Sequence, residues 1–169
     1  MSMEYTQNIN SPIGTLIVSS DGTSITGLWI EGQKYFAKTL EKEALEKNLP
    51  IFERVREWFD VYFSGKRPDF MPSLMPKGSL FQKSIWNALC KIPYGQTTTY
   101  GRIADECKYA DNNKPTSARA VGGAVGRNPI SILIPCHRVV GKNNDLTGYA
   151  GGLHRKQALL KLEGIEYNL

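Results

Sequence analysis

The sequence predicts a mixed α/β (α+β) protein, with strands followed by helices in its first half and mostly helices in its second. Two β-rich runs flank the Asp21-Gly22 dipeptide near the start of the chain. Apolar residues recur at helical spacing through much of residues 79–169. Three prolines within residues 65–78 separate the two patterns. We therefore expect two domains, residues 1–78 and residues 79–169.

The first half begins with a predicted β-hairpin. In "TLIVSSDGTSITGLWI", the Asp21-Gly22 dipeptide lies between two β-rich runs, and this dipeptide favours a tight hairpin turn. The charged stretch "YFAKTLEKEALEKN" follows, with Phe36, Leu40 and Leu45 near helical spacing. That spacing predicts a short surface helix.

A longer amphipathic helix is predicted after Pro50, in "IFERVREWFDVYFSG", with Gly65 at its end. Its apolar face consists of Phe52, Val55, Phe59, Tyr62 and Phe63. The proline-rich residues 65–78 are expected to form an irregular connection with at most one strand.

Four helices are predicted in the second half. A capping box of Ser79 and Gln82 precedes the first, whose apolar positions are Phe81, Ile85 and Leu89. The turn "IPYGQT" follows, and a second helix is predicted from about Thr98 or Thr99 to Cys107. After the loop "DNNKPTS", a third helix is predicted in "ARAVGGAVGRN" and is ended by Asn128-Pro129. The last helix is predicted from about Leu153 to Glu163. The middle two helices predict either a helix-turn-helix or an ordinary helical hairpin.

Composition excludes several classes of protein. No apolar stretch is long enough to span a membrane and no signal-peptide pattern is present, so a soluble intracellular protein is expected. Three scattered cysteines without a C-x-x-C pair argue against a disulfide framework. With two histidines, they also argue against a zinc site.

Positive charge is concentrated in the second half. Residues 1–79 have nine Lys/Arg and ten Asp/Glu, whereas residues 80–169 have twelve and six. This excess favours a polyanionic partner such as nucleic acid, and the alternative is that it serves only solubility.

The stretch "ILIPCHRVVGK" places a thiol, an imidazole and a guanidinium together after an apolar run. A free thiol is only a few per cent ionised at neutral pH, and burial lowers that fraction further unless a base or a cation opposes it. His137 and Arg138 could do so for Cys136. Because neighbouring side chains of a strand face opposite ways, His137 serves Cys136 only if the chain turns sharply after Pro135 or a water bridges them. The alternative is an inert core cysteine.

Two further anomalies support chemistry in this half. Glu163 falls in the last turn of a helix, where the helix dipole disfavours a negative charge, so it is a candidate to orient His137; the alternative is an exposed glutamate. Gly122, Gly123 and Gly126 each cost a helix roughly 1 kcal/mol relative to alanine. Such glycines let another helix or a sugar-phosphate backbone approach closely. The second reading is favoured by Arg119 and Arg127.

Four motifs resemble the O6-alkylguanine-DNA alkyltransferases, also called methylated-DNA–protein-cysteine methyltransferases. They are "IPCHRVV", "SARAVGGAVGRNP", "IPYGQTTTYGRIA" and "GYAGGLHRKQALLKLEG". The resemblance covers about residues 80–166, and the first half matches only loosely. It implies a small N-terminal α/β domain with an antiparallel sheet and a helical C-terminal domain with a winged-helix-like helix-turn-helix.

The resemblance also implies the chemistry. Cys136 would take the alkyl group from O6 of guanine, with His137 deprotonating it through a water and Glu163 orienting the imidazole. Asn128 would brace the turn, and Tyr100 would donate a proton or hydrogen bond to guanine N3. The substrate pocket is expected to include Arg138, Val139, Tyr149 and Ala150.

Duplex DNA containing O6-alkylguanine is the implied partner, bound through its minor groove by a monomer. Arg119 would enter the duplex where the damaged nucleotide is flipped out. The other expected DNA contacts are Thr99, Gly122, Gly123, Gly126 and Arg127. No cofactor or metal is implied, and the expected location is the cytoplasm, or the nucleus in a eukaryote.

Two positions differ from some relatives: Ala150, where those have serine, and Ser131, where those have proline. Two other functions stay open at this point. A cysteine hydrolase would use Cys136, His137 and Glu163. It would need an oxyanion hole and would have no use for Arg119. A damage sensor would bind DNA without any transfer, and relatives of that kind lack the cysteine.

Overall fold

The computed structural model describes residues 3–107 and 116–168. The chain divides into two compact units. The first comprises Met1–Lys77 together with Pro129–Ser131, and the second comprises Gly78–Asn128 and Ile132–Leu169. A tripeptide from the second half of the sequence therefore belongs to the first unit.

The first unit is built on a four-stranded sheet in the order β3-β2-β1-β4. Its strands are β1 (Tyr5–Ile9), β2 (Leu16–Ser20), β3 (Ile25–Ile30) and β4 (Leu45–Glu46). The first three pair antiparallel, which confirms the predicted hairpin, and β4 pairs parallel with β1. Every residue of β3 is buried, so this strand lies at the centre of the core.

Helix α1 spans Pro50–Phe63, as its apolar spacing predicts. Pro50 is the first helical residue, where its missing N–H costs nothing. The buried residues of the helix are Phe52, Val55, Trp58, Phe59 and Tyr62. Gly65 follows with φ +85°, a left-handed conformation that ends the helix and suits glycine.

The predicted surface helix over "YFAKTLEKEALEKN" is wrong. Tyr35 and Ala37 have left-handed φ angles of 56° and 53°, which a right-handed helix cannot contain. The Glu41 N–H donates to the carboxylate of buried Glu4, and the segment ends in β4. These tertiary contacts outweigh the weak preference of the charged stretch for helix.

The second unit is mostly helical. Its helices are α2 (Leu80–Cys90), α3 (Tyr100–Glu106), α4 (Ala118–Gly126) and α5 (Leu153–Leu162), and its two short strands are β5 (Thr98–Thr99) and β6 (Val139–Val140). The capping box of Ser79 and Gln82 begins α2, as predicted. Helix α4 packs against α2 and α3, and the indole of Trp86 donates to the Ala124 carbonyl.

Two single-turn helices and a loop complete the second unit. One 3₁₀ turn spans Cys136–Arg138, and another spans Lys142–Asn144. Backbone hydrogen bonds join Asn168 to Asn144 and Leu146, at 2.9 and 2.7 Å. Most of the predicted loop "DNNKPTS", which would join α3 to α4, lies outside the described residues. No helix among the described residues has the length and apolar character needed to cross a membrane.

The tripeptide Pro129–Ser131 continues the sheet of the first unit. The Leu28 N–H donates to the Pro129 carbonyl at 2.8 Å, and the Ser131 N–H donates to the Leu28 carbonyl at 2.9 Å. The Ser131 hydroxyl donates to the side-chain oxygen of Gln33 at 3.1 Å. The tripeptide is thus held by backbone and side-chain contacts just before the cysteine-containing turn.

Candidate active site around Cys136

The chain reverses direction immediately before Cys136. Pro135 has φ −81° and ψ 63°, and the Cys136 N–H donates to the Ile134 carbonyl at 2.8 Å, which together define an inverse γ-turn. The 3₁₀ turn Cys136–Arg138 follows directly. We call Pro135–Arg138 the thiol turn. Because Cys136 and His137 lie in a turn and not in a strand, their side chains need not point to opposite faces.

Asn128 braces the thiol turn from the end of α4. Its side-chain amide donates to the Ile134 carbonyl at 2.8 Å, the same oxygen that closes the γ-turn. Ile132, between them, has φ +71° although it is β-branched and only 1% exposed. A buried left-handed isoleucine stores strain of order 1–3 kcal/mol, so the surrounding contacts must hold this segment firmly.

Cys136 is buried, with 5% of its surface exposed. Burial raises the pKa of the thiol, while the Asn128 amide, the positive charge of Lys156 and the Tyr149 hydroxyl act to lower it. The Tyr149 hydroxyl is itself buried and makes no hydrogen bond of ordinary geometry within the described part of the chain. The site therefore needs a base or a cation to generate the thiolate.

His137, the residue after Cys136, forms a buried pair with Glu163. The imidazole Nε2 lies 2.6 Å from Glu163 Oε2, and His137 is fully inaccessible to solvent. Burial lowers the pKa of His137, Glu163 raises it, and Arg138 and Lys156 lower it. Since the carboxylate can only accept, Nε2 carries the proton and Nδ1 is the basic nitrogen of the neutral ring.

Glu163 is the residue after the last turn of α5 and is held by three donors. Besides His137, the Arg138 Nε donates to Oε1 at 2.8 Å and the Gly95 N–H donates to Oε1 at 3.0 Å. Burial alone would raise the pKa of Glu163, but the hydrogen bonds and charges of His137 and Arg138 lower it to about 2. Glu163 is thus ionised at neutral pH. It is also buried, so the alternative of an exposed glutamate is wrong.

Arg138, expected in the substrate pocket, is buried and its guanidinium contacts other groups of the protein. Besides Glu163, its guanidinium donates to the Ile92 carbonyl at 2.8 Å and lies 5.7 Å from the ring centre of Tyr94. The side chain is therefore committed to the carboxylate and to the turn before β5.

Lys156 is a site residue that the sequence did not single out. It lies in α5 and is fully buried, and its ammonium donates to the Val139 carbonyl at 2.7 Å. Burial lowers the pKa of Lys156 to about 8, while Cys136 acts to raise it. In the sequence, a lysine among charged residues near a helix end is expected to be solvated. The one signal of burial is its spacing: Lys156 lies three and four residues before Leu159 and Leu160, on the helix face that these fully buried leucines share.

Pairing of β5 with β6 brings Tyr100 to the site. Thr98 pairs with Val139 and Thr99 with Val140 in a parallel register. Thr99 also caps α3, because its hydroxyl accepts from the Arg102 N–H at 3.2 Å. Tyr100, the next residue, has its hydroxyl 2.9 Å from that of Thr147. Ala150 follows on the same loop and is partly exposed.

Apart from Thr99, which lies in β5, the expected DNA-contacting residues lie on α4 or at its end. Arg119 is exposed in the first turn. A Cβ added at Gly126 would meet nothing within 4 Å among the described atoms, and one at Gly122 would make ordinary contact, 3.8 Å, with the Tyr100 ring. Close packing of another described helix therefore does not explain these glycines. Arg127 donates to the Gly123 carbonyl of its own helix.

No cluster of three or more His, Cys, Asp or Glu side chains that could hold a metal ion occurs within residues 3–107 and 116–168.

Comparison with known families matches both halves of the chain. Residues 80–165 match the DNA-binding domain of 6-O-methylguanine DNA methyltransferase, and residues 5–74 match its ribonuclease-like domain. The methylated-DNA–protein-cysteine methyltransferase of Haemophilus influenzae is 45% identical over 99% of this chain and 90% of its own length. That of Methanosarcina acetivorans is 43% identical over 95% and 98%.

Solved structures agree with these matches and confirm the fold class. The crystal structure of Mycobacterium tuberculosis O6-methylguanine methyltransferase has a TM-score of 0.80 and 40% identity, covering 95% of this chain and 93% of that one. Mycobacterium tuberculosis OGT in complex with DNA has a TM-score of 0.82 and 40% identity, covering 94% and 92%. With two family models over most of its length and relatives above 40% identity, this chain belongs to the 6-O-methylguanine DNA methyltransferase family.

Proposed function

We propose that this protein repairs alkylated DNA by moving the alkyl group from O6 of guanine to the sulfur of its own Cys136. The observation that carries the proposal is a buried thiol on a sharp turn, followed directly in sequence by the imidazole of a buried imidazole–carboxylate pair. Membership of the methyltransferase family supplies the reaction class. The activity is a methylated-DNA–protein-cysteine S-methyltransferase activity without turnover.

The thiolate is generated by His137. The imidazole takes the thiol proton on Nδ1, through a bridging water, while Nε2–H stays on the Glu163 carboxylate. Arg138 and Gly95 hold that carboxylate in place. The positive charge of Lys156 stabilises the resulting thiolate. Each of these groups therefore offsets part of the cost of an anion in a buried site.

The transfer consumes the protein. The thiolate attacks the alkyl carbon, the bond from that carbon to O6 breaks, and the product is a thioether. A thioether has no bond that water readily cleaves, so Cys136 does not return to a thiol and each molecule acts once. Tyr100 assists by donating a proton to guanine N3 as the dealkylated base leaves.

Residues 79–169 act as the alkyltransferase domain. Duplex DNA binds this domain along α4. O6 cannot be reached inside the stacked duplex, so the nucleotide is flipped out at a cost of a few kcal/mol. Arg119 fills the vacated space, and the glycines of α4 let the helix lie deep in the minor groove. Val139 and Tyr149 line the pocket, with Ala150 at its edge. We place the protein in the cytoplasm, or in the nucleus of a eukaryote, as a monomer.

Intact-protein mass spectrometry after incubation with an O6-methylguanine duplex tests the proposal. We expect one added methyl mass per molecule, located on the tryptic peptide that contains Cys136, and no further turnover. The C136S variant should gain no mass. The matched control C90S, which alters an exposed cysteine, should react like the wild type. Binding without mass gain would favour a sensor, and repeated cleavage of an ester substrate would favour a hydrolase.

A further inference from the structure

Thr147 lies between the buried lysine and the tyrosine of the site. Its hydroxyl is 2.9 Å from the Tyr100 hydroxyl and 3.4 Å from the Lys156 ammonium. The three groups come from different elements: α3, the loop before α5, and α5 itself. A hydroxyl can accept from one neighbour while it donates to another, so Thr147 is able to connect the ammonium with the phenol.

The Thr147 side chain has its methyl group towards Gly141 and its hydroxyl towards Tyr100. The Thr147 methyl group fills the space beside Gly141, where an added Cβ would stand 3.1 Å from it. With the methyl group there, the hydroxyl is directed towards Tyr100. The Lys156 ammonium is anchored on the Val139 carbonyl at 2.7 Å, and its longer contact to Thr147 can tighten once substrate is bound.

We propose that Thr147 is a relay residue that passes a proton from Lys156 to Tyr100 while guanine departs, an inference that rests on the proposed function. Tyr100 touches the substrate, whereas Thr147 and Lys156 act through Tyr100.

The relay balances the transfer step. The sulfur–carbon bond forms as the bond from carbon to O6 breaks, and the electron pair of that bond stays on guanine. N3 of guanine takes the Tyr100 proton, Tyr100 takes the Thr147 proton, and Thr147 takes one from Lys156. Guanine leaves neutral, and Lys156 is left as a neutral amine beside the thioether. The proton removed earlier from Cys136 remains with His137.

The charge of the sulfur coordinates the timing of these proton transfers. Lys156 is fully buried, and burial lowers its pKa whereas Cys136 raises it. Alkylation removes the negative charge of the sulfur, so the ammonium becomes a stronger acid in the step in which guanine needs a proton. Other charged or titratable groups act on the same region: Lys156 lowers the pKa of His137, and Cys136 raises the pKa of Tyr100.

Single-turnover transfer by T147V and T147S tests the relay, because valine keeps the shape of threonine without its hydroxyl and serine keeps the hydroxyl. The substrates are two duplexes, one with O6-methylguanine and one with its 3-deaza analogue, in which carbon replaces N3. With O6-methylguanine, T147V should be slower by roughly 10-fold or more, and T147S should restore the rate to within about threefold. With the analogue, which cannot take the proton, T147V should differ from wild type by less than about twofold.

An equal slowing of T147V on both substrates would overturn the relay and leave Thr147 a packing role. An unchanged rate of T147V on O6-methylguanine would overturn it as well. Duplex affinity, measured by fluorescence anisotropy in a C136S background, should be the same with threonine or valine at position 147. Failure of the proposed function looks different, since wild-type protein would then gain no methyl group from either substrate.

Discussion

Among the described residues, each unit contains one buried carboxylate with a cationic partner, and the two carboxylates differ in what surrounds them. Glu4, in the first unit, is 1% exposed and accepts from the Thr26 hydroxyl, the Glu41 N–H and the Lys77 ammonium. Glu163, in the second, accepts from an imidazole, a guanidinium and a backbone N–H. Both carboxyl groups have a lowered pKa.

The partners decide which carboxylate can take part in chemistry. Glu4 contacts a hydroxyl, a backbone amide and Lys77, whose side chain is 34% exposed. It therefore links the start of β1 to Lys77, the last residue of the first segment of its unit. Glu163 contacts a histidine that is adjacent in sequence to a buried thiol. Burial and a lowered pKa are therefore shared by both carboxylates, and what distinguishes Glu163 is an imidazole partner that follows a buried thiol in sequence.

The largest expected difference between the two centres is in the transfer rate. E163Q should slow single-turnover methyl transfer by roughly 10²-fold or more, because the imidazole loses the carboxylate that fixes its tautomer and offsets its charge. E4Q should stay within about threefold of wild type, since the described partners of Glu4 (Thr26, Glu41 and Lys77) belong to its own unit. Rapid-quench kinetics followed by mass spectrometry measure both rates. Equal losses in the two variants would contradict the distinction.

A smaller difference is expected in acid stability. The pKa of Glu163 falls from an ordinary 4.5 to about 2 in the folded protein, so its stabilising contribution is complete above pH 4.5 and is lost as pH falls from 4.5 towards 2. The shift corresponds to a contribution on the order of 3 kcal/mol. Urea unfolding between pH 7 and pH 3 should show this loss in wild type and in E4Q. In E163Q the free energy of unfolding should depend less steeply on pH over this range. The same pH dependence in E163Q and wild type would contradict a stabilising role of the Glu163 carboxylate.

The smallest effect is expected from T26V. The change removes one donor from the buried Glu4 carboxylate, and a lost hydrogen bond to a buried charged group costs about 1–3 kcal/mol. The free energy of unfolding at pH 7 should fall by about that amount while the transfer rate stays unchanged. A slower transfer rate in T26V would show that the Glu4 centre influences the active site after all.

Local patterns predicted most of the elements correctly. The Asp21-Gly22 hairpin and the capping box of α2 depend on residues close together in sequence, and both are confirmed. The apolar face of α1 is confirmed at four of its five predicted positions, with Trp58 buried and Phe63 only half-buried. The helix expected after the hairpin failed because Glu4, distant in sequence, holds the Glu41 N–H. Contacts between remote residues are what a single sequence conceals.

The same limit applies to the candidate site. Cys136, His137 and Glu163 could be chosen from residue type and from an unfavourable position at a helix end, and their catalytic roles stay predictions. Lys156 could not be chosen, since its burial depends on the Val139 carbonyl and on the loop before α5. Nor could the left-handed Ile132, whose type gives no hint of that conformation.

The hydrogen bonds of Asn168 have a practical consequence for handling the protein. Its backbone holds Asn144 and Leu146, and the loop that contains them leads directly into Thr147. Force applied at Asn168, by an immobilising surface or a bulky fused reporter, would act on those two bonds and on the hydrogen bond from its side-chain amide to the Asn143 carbonyl. We therefore expect a rigid reporter fused close to Asn168 to slow methyl transfer more than the same reporter joined through a long flexible linker.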